Sequence, residues 1–219
     1  MAKRLKLAVL LSGSGTTLQN ILDRSASGAL PADVAVVVSS RKDAYGLVRA
    51  EKANVPAFAV PSRTHPDRQA HSAAVTEVLD RYGPDLIAMA GYMCFYHIPR
   101  QYEGRVMNIH PALIPAFCGK GLYGHVVHEK VLEYGARVAG CTVHFVDNQY
   151  DHGPIILQRV VPVLFSDTPE SLAERVQAEE RIGYPEAIRL FAEGRLVIEG
   201  RKVRVLPGAW TPTSLCGLA

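Results

Sequence analysis

Leu5-Lys6-Leu7-Ala8-Val9-Leu10-Leu11-Ser12-Gly13-Ser14-Gly15-Thr16-Thr17-Leu18 is an apolar run that breaks into a glycine-rich turn and resumes with helical spacing. A short, nearly unbroken apolar run reads as a strand buried on both faces. Leu18–Arg24 reads as a helix, so the turn joins strand to helix. The unit then repeats. Val34–Val38 reads as a strand, Ala44 to Ala53 as a helix and Ala57–Val60 as a short strand. Pro66–Tyr82 reads as a helix with Ala70, Ala74, Val78 and Leu79 inward, and Leu86–Ala90 as a buried strand. Apolar strands alternating with helices predict an α/β protein whose parallel sheet is covered on both faces.

The second half changes character. Val106–Ile109 reads as a strand, and the glycine-rich loop Cys118-Gly119-Lys120-Gly121-Leu122-Tyr123-Gly124 leads into a helix from His125 to Tyr134. Cys141–Val146 and Ile155–Val163 are spaced as antiparallel neighbours. Thr168-Pro169-Glu170 opens a long helix, with a capping hydroxyl, a first-turn proline and an acid suited to the dipole. Leu172, Val176 and Ile188 face the core, and Pro185 is expected to kink or break this helix. Leu196–Ile198 and Val203–Leu206 read as a terminal hairpin, and 207–219 as a loose tail. Residues 1–206 are expected to form a single domain.

The chain has 219 residues, 48% of them hydrophobic, enough for one sizeable core. A net charge of +3 suits an anionic small substrate and falls short of a nucleic-acid footprint. Cys94, Cys118, Cys141 and Cys216 show no CxxC spacing, which argues against zinc or a disulfide framework and for a reducing, cytoplasmic setting. The opening apolar run is too short for a signal peptide, and no stretch approaches the ~20 residues a membrane helix needs. No membrane partner is expected.

Ser12-Gly13-Ser14-Gly15-Thr16-Thr17 has the makings of a phosphate cradle. Glycines admit a ligand to the backbone, and the next helix offers free N–H groups. No Gly-Lys-Ser/Thr follows, and Leu18 stands where a third glycine would complete GxGxxG, so a phosphomonoester fits better than a dinucleotide. The rival reading is an ordinary tight turn.

Asn108-Ile109-His110-Pro111 ends a strand with an amide and an imidazole aimed to one side. Thr142 and His144 share one face of a later strand and form a second polar row. Asp151, before His152-Gly153-Pro154, reads either as a turn former or as a carboxylate that keeps His110 charged as a proton donor. His125 and His128 lie three apart on a helix. No third ligand at suitable spacing accompanies them, so a solvated helix face is favoured over a metal.

Four stretches, Leu10–Gln19, Asn108–Pro115, Gly140–Val146 and Asp151–Gln158, occur in order, and together they resemble the phosphoribosylglycinamide formyltransferases. The resemblance covers about residues 5–206 and implies that 1–206 form one catalytic domain, about 1–105 its phosphate- and nucleotide-binding half and about 106–206 its catalytic and folate-binding half. It implies a Rossmann-like, mostly parallel twisted sheet of about seven strands. It also implies transfer of a formyl group from 10-formyltetrahydrofolate to the amine of phosphoribosylglycinamide, in purine synthesis. Asn108, His110 and Asp151 match the family's catalytic trio. Gly13, Gly15, Thr16, Thr17 and Glu180 fall at nucleotide-binding positions. Arg68, Met93, Cys94, Phe95, Tyr96 and Asn108 fall at folate positions. Many members carry an arginine where this chain has Cys94. The reduced folate is the co-substrate, and no metal, nicotinamide, flavin or nucleic acid is implied. A monomer and a homodimer both fit.

Three other kinds of protein share part of this pattern. A formyltetrahydrofolate deformylase shares the trio but uses water, and its usual N-terminal regulatory domain has no room before residue 5. A methionyl-tRNA formyltransferase adds a C-terminal RNA-binding domain, whereas this chain ends soon after the last predicted hairpin. A non-catalytic nucleotide-binding module would keep the cradle and leave the trio as a relic.

Overall fold

A computed structural model describes residues 4–208. β1 (Leu5–Leu11) runs into Gly15, whose φ of +71° turns the chain straight into α1 (Thr16–Ala26), two residues earlier than the apolar spacing indicates. β2 (Ala32–Ser39), α2 (Tyr45–Lys52), β3 (Ala57–Ala59), α3 (Arg68–Tyr82) and β4 (Leu86–Met89) continue the alternation. Then come β5 (Val106–His110), α4 (His125–Tyr134), β6 (Val138–Phe145), β7 (Ile155–Pro162) and α5 (Pro169–Ala192). The hairpin β8 (Leu196–Glu199) and β9 (Lys202–Val205) follows.

Among the described residues, all strands join one sheet in the order β3-β2-β1-β4-β5-β6-β7-β9-β8. It has nine strands rather than about seven, because β9 docks beside β7 at Ile155–Lys202 and carries β8 as the outer edge. Pairing is parallel from β3 to β5 and antiparallel at β5–β6 and β6–β7. The chain winds outward from β1 to β3, then returns to the other side of β1 as β4. That reversal opens a crevice beyond the strands' carboxyl ends, where α/β sheets take their ligands. Side chains of α1, α2, α4 and α5 pack on one face and those of α3 on the other.

Two expectations need correction. On α3, Val78 and Leu79 are buried, but Ala70 and Ala74 are only partly so, and His71, Ser72 and Val75 fill the interior. His71 Nε2 donates to the Val60 carbonyl at 2.9 Å, and Ser72 Oγ donates to the Arg68 carbonyl at 2.7 Å, so these polar groups enter the core satisfied. An apolar pattern cannot find them. α5 runs 24 residues through Pro185 without a break, with Leu172, Val176 and Ile188 in the core. Proline removes the N–H that would bond the Arg181 carbonyl. Asn20 Nδ2 of α1 donates to that carbonyl at 2.9 Å instead. Next to the proline, the fully buried Tyr184 shares its hydroxyl proton between the Met89 and Met107 carbonyls, 3.0 Å from each. Among the described residues no helix is long and apolar enough to cross a membrane. Nearly all of the 207–219 segment, including Cys216, lies outside them.

Candidate active site

Register across the sheet sets the site. Asn108 of β5 lies opposite His144 of β6, His110 lies opposite Thr142, and Thr142 lies opposite Gln158 of β7. Thr142 Oγ1 donates to the Ala112 carbonyl at 2.7 Å and accepts from Ile114 N–H at 3.0 Å. Gln158 Nε2 donates to the Ile114 carbonyl at 2.9 Å. These bonds fold the post-β5 loop back over the strand end, through a cis Ile114–Pro115 bond and a left-handed Phe117.

The folded loop puts the Phe117 carbonyl 2.9 Å from His110 Nε2. A carbonyl only accepts, so Nε2 carries a proton. His110 Nδ1 faces Asp151 Oδ2 at 3.7 Å, an ion-pair separation longer than a hydrogen bond. Asp151 sits at φ +48° and accepts from Gly119 N–H at 2.9 Å. Its other oxygen is 3.8 Å from His144 Nε2. His144 Nδ1 donates to the Phe145 carbonyl at 2.8 Å, leaving Nε2 to accept from Asn108 Nδ2 at 3.4 Å. Burial pushes the His144 pKa down, more than its carbonyl bond and Asp151 pull it up, which suits that neutral role. Asp151, in the turn Asp151-His152-Gly153-Pro154, thus meets both His110 and His144, a contact that sequence spacing does not contain.

Asn108, His110, His144 and Asp151 line one cavity of about 220 Å³, together with Met93, Cys94, Phe95 and Tyr96. Phe95 packs edge-on against Tyr150 at 5.1 Å between centroids, and Tyr150 is the half of this aromatic wall that the sequence did not indicate. Arg68 is not in this cavity. It lines an adjoining one of about 370 Å³ that shares Met93, Cys94 and Phe95.

Thr16, Thr17 and Glu180 line a separate cleft, with Asn20 and Gln177, which the sequence reading passed over. The N-terminus of α1 has no side-chain cap, so its first N–H groups stay open to an anion. A Cβ on Gly15 would stand 2.7 Å from the Gly46 Cα, so that glycine also serves close packing of α1 on α2. Gly13 has open space around it. Glu180 has no hydrogen-bond partner among the described residues, and burial pushes its pKa up to about 7. Ser12 ties the two regions together. Its Oγ lies 2.6 Å from Ser40 Oγ and accepts from Met93 N–H at 2.8 Å.

Of the remaining histidines, His125 is half exposed and bonds Glu129 and Glu170, which raise its pKa. His128 is 3% exposed, so the helix face they share is solvated only at His125.

A doubly wound α/β sheet whose crevice gathers an amide, two imidazoles and a carboxylate beside an apolar pocket has the build of an acyl-group transferase. The chain belongs to the formyl transferase family, whose description matches residues 5–188. It is 39% identical over 203 residues to the trifunctional purine biosynthetic protein adenosine-3 of Bos taurus, covering 91% of this chain but only 20% of that protein. It is 38% identical to the phosphoribosylglycinamide formyltransferase of Haemophilus influenzae, covering 87% of this chain and 89% of that one. Among solved structures, glycinamide ribonucleotide transformylase 1 from Symbiobacterium toebii superposes with a TM-score of 0.88 at 52% identity, covering 94% and 96% of the two chains. A formyltetrahydrofolate deformylase from Pseudomonas syringae superposes at 0.84 with 26% identity, covering 94% of this chain and 67% of that one.

Proposed function

We propose that residues 1–206 act as one catalytic unit that transfers the formyl group of 10-formyltetrahydrofolate to the amine of 5′-phosphoribosylglycinamide, giving formylglycinamide ribonucleotide and tetrahydrofolate. The observation that carries this reading is the convergence of Asn108, His110 and Asp151 on one cavity whose wall residue Met93 is bonded to Ser12, at the root of the loop that leads to the uncapped start of α1. The relatives' names support the acceptor, and the mildly basic charge suits it.

The amine attacks the formyl carbon and forms a C–N bond, and negative charge collects on the formyl oxygen. Asn108 Nδ2 and a His110 N–H donate to that oxygen, where preorganised donors count most. Breakdown cleaves the bond from the formyl carbon to the folate nitrogen. That nitrogen gains a proton through His110, directly or by way of water, and the attacking amine loses one. Asp151 holds the imidazolium and supports its charge. Thr142 and His144 position the two donors rather than touch substrate. The phosphate binds at Gly13, Gly15, Thr16 and Thr17, and Glu180 holds the sugar-glycinamide part. The pterin fills the cavity walled by Met93, Cys94, Phe95 and Tyr96, and Arg68 meets the outer end of the folate. No nucleic acid, membrane, metal or redox cofactor enters this reading. A cytoplasmic setting suits the free thiols of Cys94, Cys118 and Cys141.

The test is to supply 10-formyltetrahydrofolate with and without phosphoribosylglycinamide and measure tetrahydrofolate. Acceptor-dependent release is expected. Release without acceptor makes the protein a deformylase, and none at all makes it a binding module.

A further inference from the structure

We propose that Arg201, in the turn between β8 and β9, is a positioning residue for Asp151, and that the terminal hairpin braces the loop carrying this carboxylate. The inference rests on the transferase reading above and adds a residue to it.

The loop between β6 and β7 brings Asp147, Gln149, Tyr150 and Asp151 to the reaction cavity. Asp151 holds a φ of +48°. A residue with a side chain keeps a left-handed backbone only where its surroundings over-determine it. Asn148 supplies the upstream anchor. Its Oδ1 accepts from the Ile98 N–H at 2.8 Å, and its Nδ2 donates to the Ile98 carbonyl at 3.3 Å. Downstream, Gly153 lies so close to β6 that an added Cβ would stand 1.9 Å from the Phe145 carbonyl oxygen. Between Asp151 and Gly153 is His152, and the hairpin holds it.

Arg201 Nη1 donates to the His152 carbonyl and stands 3.1 Å from His152 Nε2. His152 Nδ1 donates to Asp147 Oδ2 at 2.7 Å, so Nε2 keeps the lone pair that the second N–H of Nη1 needs. The Asp147–His152 bond closes the loop into a ring that contains Asp151, and Arg201 grips that ring at its closure. Lys202, the next residue, pairs with Ile155, so the hairpin meets β7 at the same end of the loop. Arg201 and His152 both stand outside the reaction cavity. Arg201 therefore acts through the placement of Asp151, whose Oδ2 lies 3.7 Å from His110 Nδ1. His152 is half exposed, and bonds at such exposure are individually weak, so the brace tunes turnover rather than switching it.

The rival role is that Arg201 only ties the hairpin down. Arg204 is the control for that role, since its Nη2 donates to Glu199 Oε2 at 2.8 Å within the hairpin. The experiment is steady-state kinetics on the full chain for Arg201→Ala, Arg201→Lys and Arg204→Ala, with Arg201→Ala repeated in an Asp151→Asn background. Arg201→Ala is expected to lower kcat about fivefold, with KM for both substrates within about twofold of wild type. Arg201→Lys keeps a donor for the His152 carbonyl and should recover most of the loss, while Arg204→Ala should match wild type. In the Asp151→Asn background, Arg201→Ala should change kcat by less than about twofold, because its effect passes through a carboxylate already gone. An unchanged kcat in Arg201→Ala, an equal loss in Arg204→Ala, or the full loss in the Asp151→Asn background overturns the proposal. Hydrogen exchange reads the brace without turnover. The Gly119 N–H donates to Asp151 Oδ2 at 2.9 Å, and its exchange should quicken about fivefold in Arg201→Ala. Equal Gly119 exchange in the two proteins also overturns the proposal. A wild type that transfers no formyl group, yet shows the Gly119 change, defeats the transferase reading and leaves the brace standing.

Discussion

Asn108 presents one N–H to His144 Nε2 and keeps the rest of its amide toward the cavity. Asn108→Ala is therefore expected to lower kcat by about 10²–10³ with little change in KM, because the lost donor acts on the developing oxyanion. Steady-state kinetics with each substrate varied checks this. Glu180 supplies a pH signature. Its folded pKa of about 7 lies above the usual carboxylate value, so the native chain holds this proton more tightly than the unfolded chain. The stability so conferred is complete below the unfolded value and is lost as pH rises through about 7. Glu180→Gln should leave the melting temperature near wild type at pH 5 and raise it at pH 8. The shift itself corresponds to at most about 3 kcal/mol, less the part that residual solvent exposure screens. The same variant should weaken nucleotide binding. Thermal melts across pH and a nucleotide titration separate the two effects. At this scale the sequence made Asn108 and His110 legible, since strand alternation gives both one direction. It could not show the Phe117 carbonyl on His110 or the meeting of Asp151 with two histidines, because those depend on left-handed residues in loops, Phe117 and Asp151 themselves.

α5 carries a proline in its interior and remains one helix because α1 replaces the missing donor. Asn20→Ala should cost about 1 kcal/mol by leaving the Arg181 carbonyl without its partner. In a Pro185→Ala background the backbone N–H of residue 185 is restored to that carbonyl, and the cost of Asn20→Ala should shrink. A double-mutant cycle by denaturant unfolding reads the difference directly. The expectation of a break at Pro185 followed from local chemistry alone. The compensating amide comes from 161 residues away, which no window along the chain contains. Elements whose pattern is local were legible to within a few residues: β1, α4 and the β6–β7 pair. The inward face of α3 was not, since two of its buried residues, His71 and Ser72, are polar and matched by partners.

Across the whole molecule the sheet is unevenly held. β1 is paired along its length on one side and flanked by β4 on the other, whereas the terminal hairpin meets the rest of the sheet through the single Ile155–Lys202 register. Hydrogen exchange should therefore show the β8 and β9 amides opening well before those of β1 and β4. Uniform protection across the sheet would contradict this. That weak docking also explains why the strand count was hard to settle from sequence: two short runs make a hairpin whether or not they join the sheet. The Ser12 hydroxyl has a consequence of another kind. It stands at the root of the loop proposed for the nucleotide phosphate and holds Met93, on the wall proposed for the pterin. A ligand that tightens one loop alters the free energy of ordering the other. By thermodynamic reciprocity each substrate must then change the affinity for its partner by the same factor.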